Sequence, residues 1–328
     1  MDWTVAIGVD THSERHVAVA LDRLGRVLGS LELALDEAGF ARLIGFARSL
    51  GEAAFAIEGT GSDGASLARA LLADGFAVYE CERPERRSRG DKNDRIDAEL
   101  AARRLLGGKP LARPRSGQRR EQLRLLLAER RSAQQARLQA QGQLRGALVT
   151  LDPPLRAKLA PLPAKALARQ PLLRRLPELA ALRRLGGRIE QLERELAAVD
   201  AEIAQLTREL CPQLLAECGL GPVCCAQVLV SVAEAGRLRS EASFAALAGV
   251  SPIEASSGRV KRHRLNRGGD RQLNWVLHMT ALNRIRHHEE THAYYQRLLG
   301  KGKTKREAIR IVKRVLARLL YRRLMASA

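Results

Sequence analysis

Lys92-Asn93-Asp94-Arg95-Ile96-Asp97-Ala98 opens an Ala- and Leu-rich run to Leu106 that reads as a helix. Asp94 and Asp97 are three apart, so on a helix their carboxylates share a face, one turn from each other. Like charges held that close raise the cost of ionising each other unless a cation stands between them. The pair therefore invites Mg²⁺. The plain alternative is a solvated helix start, because Asp favours N-caps and first turns. Two more acids favour the metal. Asp10 ends the apolar run Val5 to Val9 and Glu58 ends the run Ala53 to Ile57, so each carboxylate falls at the end of a strand expected to be buried. Open α/β sheets place their chemistry at such strand ends.

The elements that must position these acids follow from the hydrophobic pattern. Residues 3 to 9, 16 to 21 and 26 to 33 alternate or run apolar, with the turn Asp22-Arg23-Leu24-Gly25 between the second and third, and predict three antiparallel strands. From Asp36 to Leu50 the spacing becomes helical, with Phe40, Leu43, Phe46 and Leu50 on one face. A strand at 53 to 57, a helix at 63 to 73, a strand at 77 to 81 and the acidic helix follow. The order β-β-β-α-β-α-β-α suits a mixed sheet whose later strands join through crossover helices, and it is the order of the RNase H-like nucleases. On that fold Asp10, Glu58, Asp94 and Asp97 converge. Four carboxylates suit two Mg²⁺ ions, which take oxygen ligands and clamp the attacking and leaving oxygens of a phosphodiester.

At 328 residues the chain is long enough for two domains and a connector. Hydrophobic content of 45% is ordinary, but only 3% is aromatic, so Leu, Ala and Val must fill the cores. A formal net charge of +20 and a pI near 10.8 call for a polyanionic partner, nucleic acid first. No apolar segment approaches the roughly 18 to 20 residues needed to span a bilayer, and Met1-Asp2-Trp3 has no basic segment of the kind that opens a signal peptide. The five cysteines, Cys81, Cys211, Cys218, Cys224 and Cys225, make no CxxC pair and an odd count, which argues against a zinc ribbon or a disulfide framework. These features predict a reduced, cytoplasmic, nucleoid-associated protein.

Pro110, Arg113, Pro114, Arg115 and Gly117 read as a basic linker closing a first domain at 1–117. A long basic-faced helix from Gln118 to Leu151 follows, broken by Pro153, Pro154, Pro161 and Pro163. Leu182, Leu185, Ile189, Leu192, Leu196, Val199, Ile203, Leu206 and Leu210 then alternate in spacings of three and four. That seam predicts coiled-coil pairing, either with a second copy or with the long helix of the same chain. Gly186-Gly187 suggests a kink at its start, and the connector is placed at 118–210.

The rest, 211–328, is expected to be mainly helical. Leu214 to Leu229, with Gly219 and Gly221 at its centre, reads as a helix-hairpin-helix element that offers backbone N–H groups to a phosphate, against the alternative of an ordinary αα turn. Phe244 to Ala248 reads as a short helix ended by Gly249-Val250-Ser251-Pro252. Ser256 to Asp270 is too cationic to be core. Its Arg259, Lys261, Arg262, Arg264 and Arg267, with Arg271 beyond it and Lys92 and Arg95 beside the acids, are the candidate nucleic-acid contacts. From Ser256 to Leu324 there are 19 Lys or Arg against 4 Asp or Glu, so the polyanion is expected mainly there. Helices are expected at Leu273 to Ile285 and Ile309 to Leu324. His288 and His292 lack a third ligand in sequence and read as polar surface residues.

Gly8-Val9-Asp10-Thr11, Ile57-Glu58-Gly59-Thr60-Gly61, Lys92 to Ala98, Gly249-Val250-Ser251-Pro252 and Ser257-Gly258 occur in the order seen in DEDD transposases of the IS-one-ten group of insertion sequences, the bridge-RNA-guided recombinases. The chain resembles that family over nearly its whole length, with Asn93 where Thr or Ser is common and Gly59 where Ala is common. The resemblance implies a RuvC-like nuclease domain whose acids match Asp10, Glu58, Asp94 and Asp97, and a carboxy-terminal transposase domain whose catalytic serine matches Ser257, preferred over Ser256 because it precedes Gly258. It also implies a Mg²⁺-assisted covalent phosphoserine, a composite site formed in a homo-oligomer, at least a dimer, and a structured noncoding guide RNA that pairs with donor and target DNA. Two other readings remain open from the residues: a RuvC-like junction nuclease that activates water, and a non-catalytic nucleic-acid scaffold.

Overall fold

The computed structural model describes residues 3–81, 93–108, 111–114, 117–175, 179–232, 238, 240–255, 263–264, 266 and 268–326. The chain divides into two compact units, Met1–Ser116 and Gly117–Ala328.

In the first unit β1 (Val5–Thr11), β2 (Arg15–Leu21) and β3 (Val27–Ala34) form the expected antiparallel meander, followed by α1 (Glu37–Leu50), β4 (Ala53–Glu58), α2 (Ala65–Ala73), β5 (Ala77–Cys81) and α3 (Asp94–Leu106). The five strands lie in the order β3-β2-β1-β4-β5, with β1–β4 and β4–β5 parallel. The first strand starts two residues later than the pattern suggests and carries Asp10 inside it, paired with Val17. Alternation along the strands sorts the core onto two faces. Val5, Ile7, Val9, Phe55 and Ile57 pack with Leu43, Leu67 and Leu71 of α1 and α2. Ala6, Ala54 and Ala56 pack with Ala98, Ala101, Ala102 and Leu105 of α3. Small residues dominate the second face because the α3 backbone lies directly on it: a Cβ built on Gly8 would overlap the Ala98 carbonyl and the Ala102 amide.

The second unit is mainly helical. Its elements are α4 (Gln118–Val149), α5 (Pro153–Leu159), α6 (Ala164–Arg169), α7 (Leu172–Arg175), α8 (Ala180–Leu210), α9 (Pro212–Leu215), α10 (Pro222–Val232), α11 (Glu241–Leu247), β6 (Ile253–Glu254), β7 (His263–Arg264), α12 (Arg271–His287), α13 (Glu289–Gly300) and α14 (Lys305–Met325). The pairs Arg119–Glu209 at 2.8 Å, Arg130–Asp200 at 2.6 Å and Arg137–Glu193 at 3.8 Å show α4 and α8 running antiparallel. The seam is buried within this pairing: Val199 and Ile203 pack with Leu123, Leu126 and Leu127, and Leu182 and Ile189 with Leu144, Leu148 and Leu167. Each such side chain contributes about 1.5–3 kcal/mol on full burial, whereas exposed ion pairs contribute little beyond register. The helix is continuous through Gly186-Gly187. Gly186 serves close packing, since a Cβ there would stand 2.7 Å from Ala164 O and 2.9 Å from Ala168 N of α6.

The hairpin glycine Gly219, at φ +84°, lies against Thr280 and Arg284 of α12. Arg284 donates to Cys218 O at 3.3 Å and pairs with Glu217 at 3.5 Å, both side chains nearly buried. The pattern did not mark α13. His288 caps its start, accepting from Thr291 N, and His292 Nδ1 donates to Ile285 O at 2.9 Å, so these two histidines are fasteners of a helix corner. No helix among the described residues is long and apolar enough to cross a membrane.

Candidate active site

Strand alternation and one helix crossing assemble the acids. Asp10 follows Gly8 by two positions and Glu58 follows Ala56 by two, so both side chains rise from the α3 face of the sheet, on neighbouring parallel strands. Ala98 and Ala102 cross over Gly8, and the His12–Asp94 contact puts the amino end of α3 beside the carboxyl end of β1. Asp94 sits one turn before Ala98. Asp94 and Asp97 both fall in the first turn of α3, whose N-cap Asn93 accepts from Arg95 N at 3.0 Å. The helix dipole favours carboxylates there by about 0.3–1 kcal/mol each at an exposed position, which offsets part of their mutual repulsion. The two readings of Asp94 and Asp97, helix-start acids and metal ligands, are therefore compatible.

A histidine stands at the centre. His12 Nε2 is 3.0 Å from Asp10 Oδ2 and 3.2 Å from Asp94 Oδ1. Arg15 reaches Asp94 Oδ2 at 3.6 Å while holding Glu32 at 2.7 Å. Asp10 is 4% exposed and Glu58 5%. Burial raises the Asp10 pKa, the facing His12 lowers it, and the Asp97 and Asp94 charges raise it again. Asp10, His12 and Asp94 each offer one ligand atom within 4.8 Å of the others; Glu58 and Asp97 are not part of that group, although the Asp97 charge is felt at Asp10. Sequence reasoning missed His12, although its signal was present: Asp10 and His12 are two apart at a strand end, which puts both on one face.

The turn after β4 is tightly built. Gly59 takes φ +59°, and Thr11 Oγ1 donates to Glu58 O at 3.0 Å. A Cβ on Gly64 would meet Glu58 O at 2.7 Å, so glycine lets the turn close over Thr11. The Thr60 hydroxyl, 3% exposed, has no hydrogen-bond partner among the described residues.

This donor set fits a divalent cation. Its carboxylates suit a hard ion such as Mg²⁺, the burial that disfavours the Asp10 anion is relieved by a facing positive charge, and the His12 nitrogen extends the range to softer divalent ions. Of the other candidates, Arg95, Arg264 and Arg271 are exposed. Ser256, Ser257, Lys92, Arg259, Lys261, Arg262 and Arg267 lie outside the described residues. The β6–β7 pair, Ile253 with Arg264 and Glu254 with His263, brings together the two ends of the stretch to which Ser257 belongs.

Two family models match the chain. One, the DEDD transposase domain of the IS110 group, covers residues 7–153. The other, described as the transposase IS116/IS110/IS902 family, covers residues 211–296. No curated protein matches the chain.

Proposed function

Because the chain belongs to the IS110 group of DEDD transposases, enzymes that act on DNA and depend on a divalent metal, we propose that it cuts and rejoins DNA strands through a covalent phosphoserine at Ser257, guided by a structured RNA. The observation that carries the metal half of this reading is the approach of Asp10 and Asp94 on a shared His12, from two elements that Gly8 allows to touch. In the reading Asp10, Glu58, Asp94 and Asp97 hold Mg²⁺, two ions in all, which would supply charge compensation at the scissile phosphate. His12 holds the Asp10 and Asp94 carboxylates in register, and Arg15 braces Asp94.

Ser257 Oγ attacks phosphorus. An Oγ–P bond forms, the bond from phosphorus to one sugar oxygen breaks, the serine proton passes to solvent, and the leaving oxygen takes a proton from solvent to depart as a hydroxyl. A hydroxyl from a second strand reverses the step and frees the serine. The number of phosphodiesters is conserved, so no high-energy cofactor is needed. A serine hydroxyl is a weak nucleophile unaided, which is why the reading couples it to the acids. Guidance by RNA is supported by the composition: abundant Lys and Arg for phosphates, and few aromatic side chains for base stacking. The reading divides the chain at 1–117, 118–210 and 211–328 and includes assembly of at least two copies on the DNA, in the cytoplasm at the nucleoid.

The test incubates the full chain with RNA transcribed from the sequence flanking its gene, labelled donor and target DNA, and Mg²⁺, followed by a denaturing gel. A protein–DNA adduct that requires Mg²⁺ and is lost in Ser257→Ala and Asp10→Ala is the expected result. Free nicked DNA, unchanged by Ser257→Ala, would make the chain a metal-dependent nuclease.

A further inference from the structure

In the second unit a cavity of about 770 Å³ opens between the turn Gly249–Pro252, Arg264 of β7 and one face of α14. Among the described residues six cations line it, Arg264, Lys303, Arg310, Lys313, Arg314 and Arg318, against the single carboxylate of Glu307. That carboxylate accepts from Thr304 N at 2.9 Å and Thr304 Oγ1 at 2.8 Å in its capping box and feels the charges of Lys303 and Arg310 without a direct ion pair to either. Glu241 balances Arg314 at 3.1 Å and Arg318 at 2.8 Å. Arg264, Lys303, Arg310 and Lys313 are left without an ion pair among the described residues.

Lys313 is the informative member. It is 8% exposed, and its Nζ donates to Asn274 Oδ1 at 2.7 Å, a neutral partner. Asn274 has no freedom to turn away, because its Nδ2 donates to Ala248 O at 2.7 Å. Burial, and then the Arg310 charge, push the Lys313 ammonium down to about 8. A buried charge is relieved by pairing or by giving up its proton, and an anion entering the cavity would supply the pairing that Asn274 does not. The remaining wall includes the apolar Ile311 and Val315 and the Tyr294 ring, with Ser251 and Asn266 as its uncharged polar members. A cavity of this size falls in the range of small-molecule sites, about 300–1,000 Å³, far more than one phosphate fills.

We propose that this cavity takes one unpaired nucleotide of a nucleic-acid strand, its phosphate on Lys313, Arg310 and Arg264 and its base against Tyr294 and Ile311. The proposal rests on the nucleic-acid function above and adds a subsite to it. A stacked duplex presents phosphates to exposed cations but cannot seat a base in the cavity; a strand end or an extruded nucleotide can.

The test is fluorescence anisotropy of the full chain in EDTA with labelled six-nucleotide strands, one DNA and one RNA, and with a duplex of the same sequence. Arg310→Ala and Tyr294→Ala are expected to weaken single-strand binding at least tenfold and duplex binding less than twofold; Lys313→Met, where it folds, should do the same. The DNA and RNA arms tell which strand is seated. Equal losses for strand and duplex would make the cavity part of a general cationic surface, and unchanged strand binding would show that it is not used; either overturns the proposal. Divalent ions are absent, so this readout and the adduct assay fail independently.

Discussion

Gly8→Ala is the sharpest probe of how the acids are brought together. The added methyl would overlap the Ala98 carbonyl and the Ala102 amide and stand 3.1 Å from Ala101 C, all backbone atoms of α3 that no rotamer change can move. Restoring ordinary contact requires α3 to retreat by roughly 1 Å or more, and overpacking of this kind costs about 1–3 kcal/mol. For a unit of this size that lowers the melting temperature by roughly 5–15 °C. The retreat also carries Asp94 and Asp97 away from Asp10, and a misplacement near 1 Å can cost about 10²-fold in rate. The assay pairs a thermal melt with calorimetric titration of Mn²⁺, using Gly45→Ala as the control. Gly45 lies exposed in α1, and a Cβ added there would meet nothing within 4 Å, so alanine should stabilise by about 0.5–1 kcal/mol and leave ion binding unchanged. Should Gly8→Ala melt like the parent and bind Mn²⁺ equally, the idea that a glycine contact positions the metal ligands is wrong.

Divalent ion at ten times its dissociation constant should stabilise the chain by about 1.4 kcal/mol, and Asp10→Ala should abolish that shift in a thermal melt. Lys313 gives a pH dependence with a definite sign. Its pKa near 8 lies below the usual 10.5, so the folded chain releases this proton first and stability rises between pH 8 and 10.5, by about 3 kcal/mol at about 1.4 kcal/mol per unit. Urea melts across that window should show the rise in the parent and not in Lys313→Met. Strand binding should weaken over the lower part of the same window, as the ammonium is lost. Neighbouring His278, its pKa held down by burial and by Lys313, and the arginines do not titrate there. Glu217→Ala removes the carboxylate shared by Arg284 and Arg323 and should cost about 1–3 kcal/mol, read as a lower urea midpoint.

Much of the first unit is legible in the sequence because its signals are local. Alternation, the Asp22–Gly25 turn and two crossover helices specify the sheet, and Asp10, Glu58, Asp94 and Asp97 stand out as acids next to apolar runs. The spacing of His12 from Asp10 puts both on one face of the strand end, but only the packed α3 shows that the ring also meets Asp94. The seam in α8 announced a partner but not which one. Leu123, Leu127, Leu144 and Leu148 of α4 and Leu167 of α6 cover it, and their spacing is diluted by arginine and glutamine. The helix at Glu289–Gly300 was hidden because its apolar face is short and its cap is His288, an uncommon capping residue. The cationic cavity was illegible for a different reason. Charge density over the last third of the chain is visible in composition, but only packing separates Lys313, which is buried beside an amide, from Arg314 and Arg318, which share the Glu241 carboxylate.

The antiparallel pairing of α4 and α8 has a consequence for how such chains can vary. Arg119 and Glu209 are 2.8 Å apart, so the point where the helix pair begins and the point where it ends are the same place in space. Everything between is an excursion, about 1.5 Å long for each residue of helix, and its length does not alter the join. Adding seven residues to each helix in matched register would carry the Pro153–Arg169 tip outward by about 10 Å and leave the Arg119–Glu209 end as it stands. The pair behaves as an adjustable ruler, whose reach can be reset without redesigning what it is attached to.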